Sequence, residues 1–477
     1  MLSIKEISST RNYILLNLFT ILTPVILYPF ITRIISTESY GNYIFIQSIA
    51  LLILAISNFG CLVGFKRNYF EYSSKKKRYI LLSFIQIFIF FVFFLVLSIN
   101  FIFEEYIFRF INKTDISHSF WSLILLAISF DFFSKYYLTY LVNEEKSKLY
   151  CILIITKNFF YVFFTLIFFF YDFKILSLVY SLLISNSVLF ILILLIQLKE
   201  QKITFQYKQV IKILKISYPL TLRILFGELN TKLDKILITI LAGVSGTGIY
   251  TVAQSISYFV FQFITSLDKV FITKLNKKLF SGNHNIKNYL TPYLFISAAV
   301  ALLLILFNDI IYLILIDKKY HGAENIVIIL TLYYFFLFFN KVTGAQLIYI
   351  KKIWLISNLF FLSVVGNFIL NLFFIKYFGI IGAATATLIN SLFFTFIQIY
   401  LSSKFMKLRL NLKDIYLICG LLIIFSFIQL LLNNFFAKDF SLTILIIKLF
   451  FFTIFLYLGH KFNLFQYKKF IKNFIKI

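Results

Sequence analysis

Twelve charged residues lie inside long apolar stretches of the chain, where a charge is unfavourable unless it meets a partner, water or a ligand. Eight are basic and four are acidic, so these stretches carry a formal excess of positive charge. They are Arg33, Asp131, Lys135, Lys157, Arg223, Glu228, Lys232, Asp234, Lys235, Asp268, Lys341 and Lys448. The pattern predicts recognition of an anionic ligand, because surplus cations in a low-dielectric interior favour phosphate or carboxylate groups.

The seventh apolar stretch is the richest in charge. On a helical wheel, its polar residues form two edges: Arg223, Asn230 and Asp234 on one, Glu228, Lys232 and Lys235 on the other. Glu228–Lys232 is an i,i+4 pair with the acid first, as is Asp131–Lys135 in the fourth stretch. Two interpretations stay open for these pairs: neutralised bridges between helices, or contacts to an anionic ligand and a coupling ion.

The other charges divide by position. Arg33, Lys157 and Asp268 lie near the ends of apolar stretches, so we expect their side chains to extend to the membrane interface. Lys341 and Lys448 have no local acidic partner, which predicts contact with the ligand or with another helix.

The elements that carry these charges are membrane-spanning helices. Hydrophobic residues make up 61% of the 477 residues, charged residues 14%, and the apolar runs are long enough to cross a bilayer as helices. We predict an all-α polytopic membrane protein with about fourteen transmembrane helices. The spans are 12–35, 42–64, 79–103, 119–141, 150–171, 175–197, 215–241, 248–270, 289–316, 324–349, 353–376, 379–401, 413–436 and 440–460.

The basic residues outside the spans predict the orientation of the chain. With the N-terminus in the cytoplasm, the inner loops and termini hold 31 Lys and Arg residues and the outer loops hold 7. This asymmetry predicts a multi-pass protein of the bacterial cytoplasmic (inner) membrane with both termini cytoplasmic. It also accounts for the net charge of +27, so we expect no nucleic acid as a partner.

A repeat predicts two parallel lobes. Gly41-x-Tyr43-x-x-x-Gln47-Ser48-Ile49 matches Gly248-x-Tyr250-x-x-x-Gln254-Ser255-Ile256, and each copy opens the second span of a six-span set. The predicted organisation is an N-terminal six-helix lobe (1–198), a cytoplasmic amphipathic linker (199–214), a C-terminal six-helix lobe (215–401), two additional helices (402–460) and a basic amphipathic cytoplasmic tail (461–477).

Catalytic signatures are absent from the sequence. The outer loops are too short for a catalytic domain, and there is no phosphate-binding loop. The four His and three Cys residues are not at metal-ligand spacing, so we predict no metal and no cofactor. A transporter is favoured over a membrane-embedded enzyme such as a polysaccharide polymerase or glycosyltransferase, which stays open as the alternative.

The chain resembles the polysaccharide-transporter branch of the multidrug/oligosaccharidyl-lipid/polysaccharide exporter superfamily, and specifically Wzx-type O-antigen flippases. The motifs that carry the resemblance run in order through the first twelve spans. They are Pro29-Phe30-Ile31-Thr32-Arg33 with Tyr40-Gly41-x-Tyr43, Asn58-Phe59-Gly60, Ser217-Tyr218-Pro219-Leu220, Asp234-Lys235 with Gly246-x-Gly248-x-Tyr250-x-x-Ala253, and Phe378-Gly379-x-x-Gly382-Ala383-Ala384-x-Ala386-Thr387.

The resemblance implies a flippase that moves an undecaprenyl-diphosphate-linked repeat unit from the inner to the outer leaflet by alternating access. It implies cargo contacts at Arg33, Lys135, Arg223, Lys232 or Lys341, and ion or proton coupling at Asp131, Glu228 and Asp234. The expected partners are lipid-linked oligosaccharide, membrane lipids, a polysaccharide polymerase and a chain-length regulator. Fourteen spans exceed the twelve typical of O-antigen flippases, which keeps a peptidoglycan-precursor flippase and a drug exporter open.

Overall fold

Long apolar runs form helices throughout the chain, because a backbone in a bilayer must satisfy its hydrogen bonds within each segment. The computed structural model describes residues 4–69, 74–103, 105–106, 118–200, 207–282, 285–435 and 442–464. Within this part it is helical and holds no strand, only an isolated bridge between Asn285 and Arg409. Most of the predicted tail and the centre of the predicted linker lie outside the described residues. The all-α polytopic fold is confirmed.

The chain divides into two compact units, Ser3–Gly248 and Ile249–Ile477. The helices up to the division are Ile4–Ile34 (α1), Thr37–Ser57 (α2), Cys61–Asn68 (α3), Lys75–Ile102 (α4), His118–Asn143 (α5), Ser147–Phe170 (α6), Leu176–Glu200 (α7) and Tyr207–Leu241 (α8). Helix α9 (Val244–Phe280) begins in the first unit and continues in the second. The six-helix lobes of the repeat stay a prediction, since this grouping follows contacts rather than sequence similarity.

Among the described residues, the second unit contains six further α-helices. They are Lys287–Leu306 (α10), Asn308–Leu315 (α11), Glu324–Tyr349 (α12), Ile353–Phe405 (α13), Leu412–Phe435 (α14) and Leu442–Lys461 (α15). Where the residues are described, every predicted span lies in helical structure, although two of the spans are each divided between two helices. Eight described helices are long and apolar enough to cross a membrane, or nine spans if α10 and α11 are taken together. Large apolar side chains such as Phe91 (64% exposed) and Phe396 (66%) lie on their outer faces, as lipid contact requires.

Two predicted spans are interrupted where the sequence suggested continuous helix. The span 42–64 is wrong as one segment: α2 ends at Ser57, and the left-handed residues Phe59 and Gly60 precede α3. Tyr136 donates a hydrogen bond to the Asn58 side chain, which fixes this break against α5. The span 289–316 is also bent, by 55° between α10 and α11.

The motif at 378–387 forms a tight reversal within α13. Gly379 has φ 58° and ψ −138°, a conformation that strongly favours glycine, and it separates the two predicted spans 353–376 and 379–401. A Cβ at Gly382 would lie 3.1 Å from the Ile375 nitrogen and closer still to Phe374, so the returning helix needs glycine here. Ala383, Ala384 and Ala386 are fully buried beside it.

The repeated glycines meet each other in the first unit. Gly41 is the fifth residue of α2, Gly248 is the fifth of α9, and a Cβ on Gly41 would lie 2.9 Å from the Gly248 nitrogen. The contact is reciprocal, because a Cβ on Gly248 would lie 3.1 Å from the Gly41 nitrogen. The hydroxyl of Ser245 donates to that of Thr37 at 2.7 Å beside it. The repeat therefore places glycine where the N-terminal ends of two helices cross with their backbones in contact.

Candidate functional site

Asp131 lies at the centre of the charged cluster in the first unit. It projects from α5, where Lys135 one turn later places its Nζ 2.9 Å from the Asp131 carboxylate. Lys157 on α6 donates a hydrogen bond to the same carboxylate. The expectation that Lys157 extends to the interface is therefore wrong, because its ammonium pairs with a carboxylate 26 residues away.

The hydroxyls of buried tyrosines continue the face on which Lys157 lies. Tyr161 follows Lys157 by one turn of α6, and its hydroxyl hydrogen-bonds that of Tyr43 on α2. Gln47 donates to the Tyr43 hydroxyl at 3.3 Å. Tyr43 belongs to the repeated motif, so the motif positions a polar group beside the lysine cluster as well as the glycine crossing.

Helix α8 brings a second set of charges toward this cluster. Lys232 is close enough to Glu228 and to Lys135 for their charges to interact. Lys235 interacts in the same way with Lys232 and Asp234, and Asp234 is buried at 4% exposure. The backbone of Arg223 belongs to the same helix, while its side chain lies outside the described residues.

The cluster has more cationic than acidic groups. Four lysines (Lys135, Lys157, Lys232 and Lys235) face three carboxylates (Asp131, Glu228 and Asp234). The side chain of Lys135 is 39% exposed and that of Lys157 is 21% exposed, so both ammonium groups stay reachable. Lys135 also lies 4.1 Å from the centre of the Phe132 ring, which orients its stem. Such an arrangement can bind an anion through charge-assisted hydrogen bonds.

The remaining candidates lie on helices α1, α12 and α15. Arg33 is exposed in the last turn of α1. In the second unit, Lys341 is exposed on α12 with its ammonium 5.9 Å from the centre of the Phe261 ring. Lys448 on α15 is buried at 1% exposure and donates to Asp309 on α11. Lys448 therefore meets a partner helix, one of the two outcomes expected for it.

Sequence reasoning missed Asp309 as a functional or structural charge. It falls inside the predicted span 289–316, so its position in an apolar run was an available signal. Its carboxylate meets Lys448 across 139 residues of sequence, a separation for which local spacing gives no indication. The side chain is 38% exposed, at the start of α11 just after the bend.

A separate polar cluster joins α3, α4 and the turn after α5. Tyr69 donates to the Glu144 carboxylate, and the Arg78 guanidinium lies 3.4 Å from the same carboxylate and 4.8 Å above the Tyr69 ring. Burial, together with the neighbouring carboxylate, raises the pKa of the Tyr69 hydroxyl, so it stays a hydrogen-bond donor at neutral pH. These contacts hold the ends of the helices on the predicted cytoplasmic side.

Three solved structures that share the fold are named as a flippase or a transporter. A structure of the lipid II flippase MurJ in an inward closed conformation matches with a TM-score of 0.73 and 17% identity, covering 95% of this chain and 99% of that one. An inward-facing multidrug resistance MATE family transporter of the MOP superfamily matches with 0.64 and 12%, covering 80% and 94%. A MATE transporter of Vibrio cholerae matches with 0.55 and 12%, covering 84% and 97%. At these identities the likeness shows the fold.

A search of curated protein sequences found no match. The family model described as "Polysaccharide biosynthesis protein" matches residues 9–272, which is more than half of the chain and includes the charged cluster of the first unit. The resemblance to the polysaccharide-transporter branch is thereby confirmed. The chain belongs to the polysaccharide biosynthesis protein family.

Proposed function

We propose that the chain is a flippase for undecaprenyl-diphosphate-linked oligosaccharide repeat units, such as those of O-antigen or a similar surface polysaccharide. The cargo moves from the inner to the outer leaflet of the bacterial cytoplasmic membrane. The observation that carries the proposal is the lysine-rich cluster around Asp131, inside a membrane unit that matches the polysaccharide biosynthesis family. One structural relative is named as a flippase, which supports the proposal.

Lys135 has the exposure and charge that a diphosphate needs, and Lys232 lies near enough for the two charges to interact. Lys135 is paired with a carboxylate it shares with Lys157, so its ammonium can turn to an anion while Asp131 keeps a partner. Arg33, Arg223 and Lys341 are proposed as further cargo contacts along the path. Asp131, Glu228 and Asp234 are proposed ion or proton sites, because each carboxylate lies on a charged helix face that ligand binding would disturb.

A peptidoglycan-precursor flippase is the second candidate. The match to a structure named as a lipid II flippase covers nearly all of both chains, which favours it over a drug exporter. Its cargo would also be a lipid-linked diphosphate, so the charged cluster suits both. The two candidate cargoes differ in the sugar attached to the diphosphate. The lipid-linked sugar that accumulates when the protein is absent therefore identifies the cargo.

Deletion of the gene tests the function. We expect lipid-linked repeat units to accumulate on the cytoplasmic leaflet while synthesis of single units continues, as measured by leaflet-selective labelling of extracted lipid-linked sugars. Re-expression of the chain is expected to clear them. A membrane polymerase would instead leave single repeat units on the mature acceptor. Accumulation of peptidoglycan precursor, with repeat units unaffected, would support the second candidate.

Reporter fusions test the orientation. The excess of basic residues in alternate loops predicts cytoplasmic reporters after Lys77, Lys212, Lys278 and Lys472, and external reporters at Lys113 and Lys319. The measurement is the ratio of a reporter active only outside the membrane to one active only in the cytoplasm. A fusion near the middle that reports from the opposite side would contradict the fourteen-span arrangement.

A further inference from the structure

A groove of about 280 Å³ opens on the outer surface of the first unit, apart from the charged cluster. Helices α4, α5 and α7 form its walls, and nearly all of the lining surface is apolar. The wall residues are Ile87, Phe90, Phe91, Phe133, Phe190 and Leu194. Phe133 lies between Asp131 and Lys135 in sequence but projects from the other side of α5, so groove and cluster occupy different faces.

Polar side chains at the floor of the groove bond to one another. Gln197 on α7 donates its Nε2 to Gln86 Oε1 on α4 at 2.7 Å, and the Tyr79 hydroxyl donates to the Gln197 carbonyl at 3.0 Å. Ser83 donates to the Tyr79 carbonyl at 3.1 Å. Within the described residues, the buried Nε2 of Gln86 has no hydrogen-bond partner, and an ester carbonyl oxygen could accept from it.

The groove faces the lipid at the depth of one leaflet. Phe90 and Phe91 on its edge are 49% and 64% exposed. At a rise of 1.5 Å per residue, the α4 residues that line it lie roughly 12 to 24 Å along the helix from Lys75. With the proposed cytoplasmic position of that helix start, this depth is the hydrocarbon region of the inner leaflet.

Two lysines precede the groove at the membrane-interface end of α4. Lys76 and Lys77 are exposed in the first turn of α4, and Lys199 is exposed in the last turn of α7. Lys76, seven residues before Ser83, lies on the groove side of α4 with Lys77 next to it, whereas Lys199, two residues after Gln197, lies on the other side of α7. Basic residues between helices at this interface attract anionic lipid headgroups.

We propose that this groove binds an acidic glycerophospholipid of the inner leaflet. One acyl chain occupies the groove between α4 and α7, and the headgroup phosphate meets Lys76 and Lys77. The aromatic walls give the chain a preformed apolar surface, and the two lysines select against zwitterionic lipids by charge. The site rests on the proposed orientation for its leaflet, and it is distinct from the cargo cluster.

Native mass spectrometry of the full chain in nanodiscs of mixed phosphatidylglycerol and phosphatidylcholine tests the proposal. We expect retained phosphatidylglycerol on the intact protein, and a loss of about fivefold in this preference per lysine removed, on the order of 25-fold for Lys76→Gln/Lys77→Gln. The matched control is Lys404→Gln/Lys407→Gln, which removes two exposed lysines of the second unit. An equal loss in both variants, or no loss in the first, overturns the site.

A second pair of variants tests the groove itself. Leu194→Trp fills the cavity and is expected to displace the retained lipid, whereas Leu195→Trp is the control because that side chain is 51% exposed beside it. Retention of lipid in Leu194→Trp at the level of the control would overturn the acyl-chain position. The readout needs no transport, so a failed lipid site and a failed flippase assignment give separate results.

Discussion

Asp309→Ala is expected to lower the free energy of unfolding by about 3 kcal/mol, because it leaves the buried Lys448 ammonium without its carboxylate. Lys448 is 1% exposed and lies on α15, while Asp309 lies in the first turn of α11 just beyond the bend after α10. The pair therefore joins α15 to α11 within the second unit. Thermal unfolding of detergent-solubilised protein, followed by chemical denaturation of the same variants, measures the effect.

A double variant shows whether the loss of stability in Asp309→Ala comes from the unpaired Lys448 charge or from the missing side-chain contact. Asp309→Ala/Lys448→Met replaces both charges by apolar groups, and we expect it to recover most of the stability, since no buried charge is left unpaired. Asp309→Asn should lie between Asp309→Ala and the wild type, because an amide oxygen still accepts from the ammonium. Lys376→Met, at an exposed lysine of the same unit, is expected to be neutral. Wild-type stability in Asp309→Ala would show that the pair contributes nothing.

Local patterns in the sequence were sufficient to predict the helices. Continuous apolar runs placed the described parts of all fourteen predicted spans in helical structure, and the i,i+4 spacing of Asp131 and Lys135 gave their contact. The glycine motifs marked real close approaches, at the crossing of α2 with α9 and at the reversal beside Gly379. Each of these features depends on residues that are close in sequence or on a motif that occurs twice in the chain.

Long-range partners could not be predicted in the same way. Lys157 was expected at the interface, yet it pairs with Asp131 on the neighbouring helix, and Lys448 meets an acid 139 residues away. Helix packing brings these groups together, and no spacing rule records which faces meet. The breaks at Phe59–Gly60 and Phe307 were missed for a related reason, because hydropathy stays high across both.

Lys135→Ala is expected to reduce translocation by roughly 10- to 100-fold while leaving the protein folded and abundant. Removing this side chain leaves the Lys157–Asp131 pair intact, so no buried charge loses its partner. The loss follows from one charge-assisted hydrogen bond to the diphosphate, worth about 1.5–3 kcal/mol. The measurement is the rate at which lipid-linked repeat units reach the outer leaflet of proteoliposomes, normalised to inserted protein.

The companion variants decide whether charge or structure is responsible. Lys148→Ala, an exposed lysine at the start of α6, is the matched control and is expected to transport normally. Asp131→Ala leaves both Lys135 and Lys157 without their carboxylate partner, so we expect low abundance together with low transport. Lys135→Arg should transport well if charge alone is needed.

Arg223→Ala and Lys341→Ala are expected to lower the rate with normal abundance. If they and Lys135→Ala all transport at the wild-type rate, the proposed cargo contacts are wrong, and the lysines around Asp131 serve to hold α5 and α6 together.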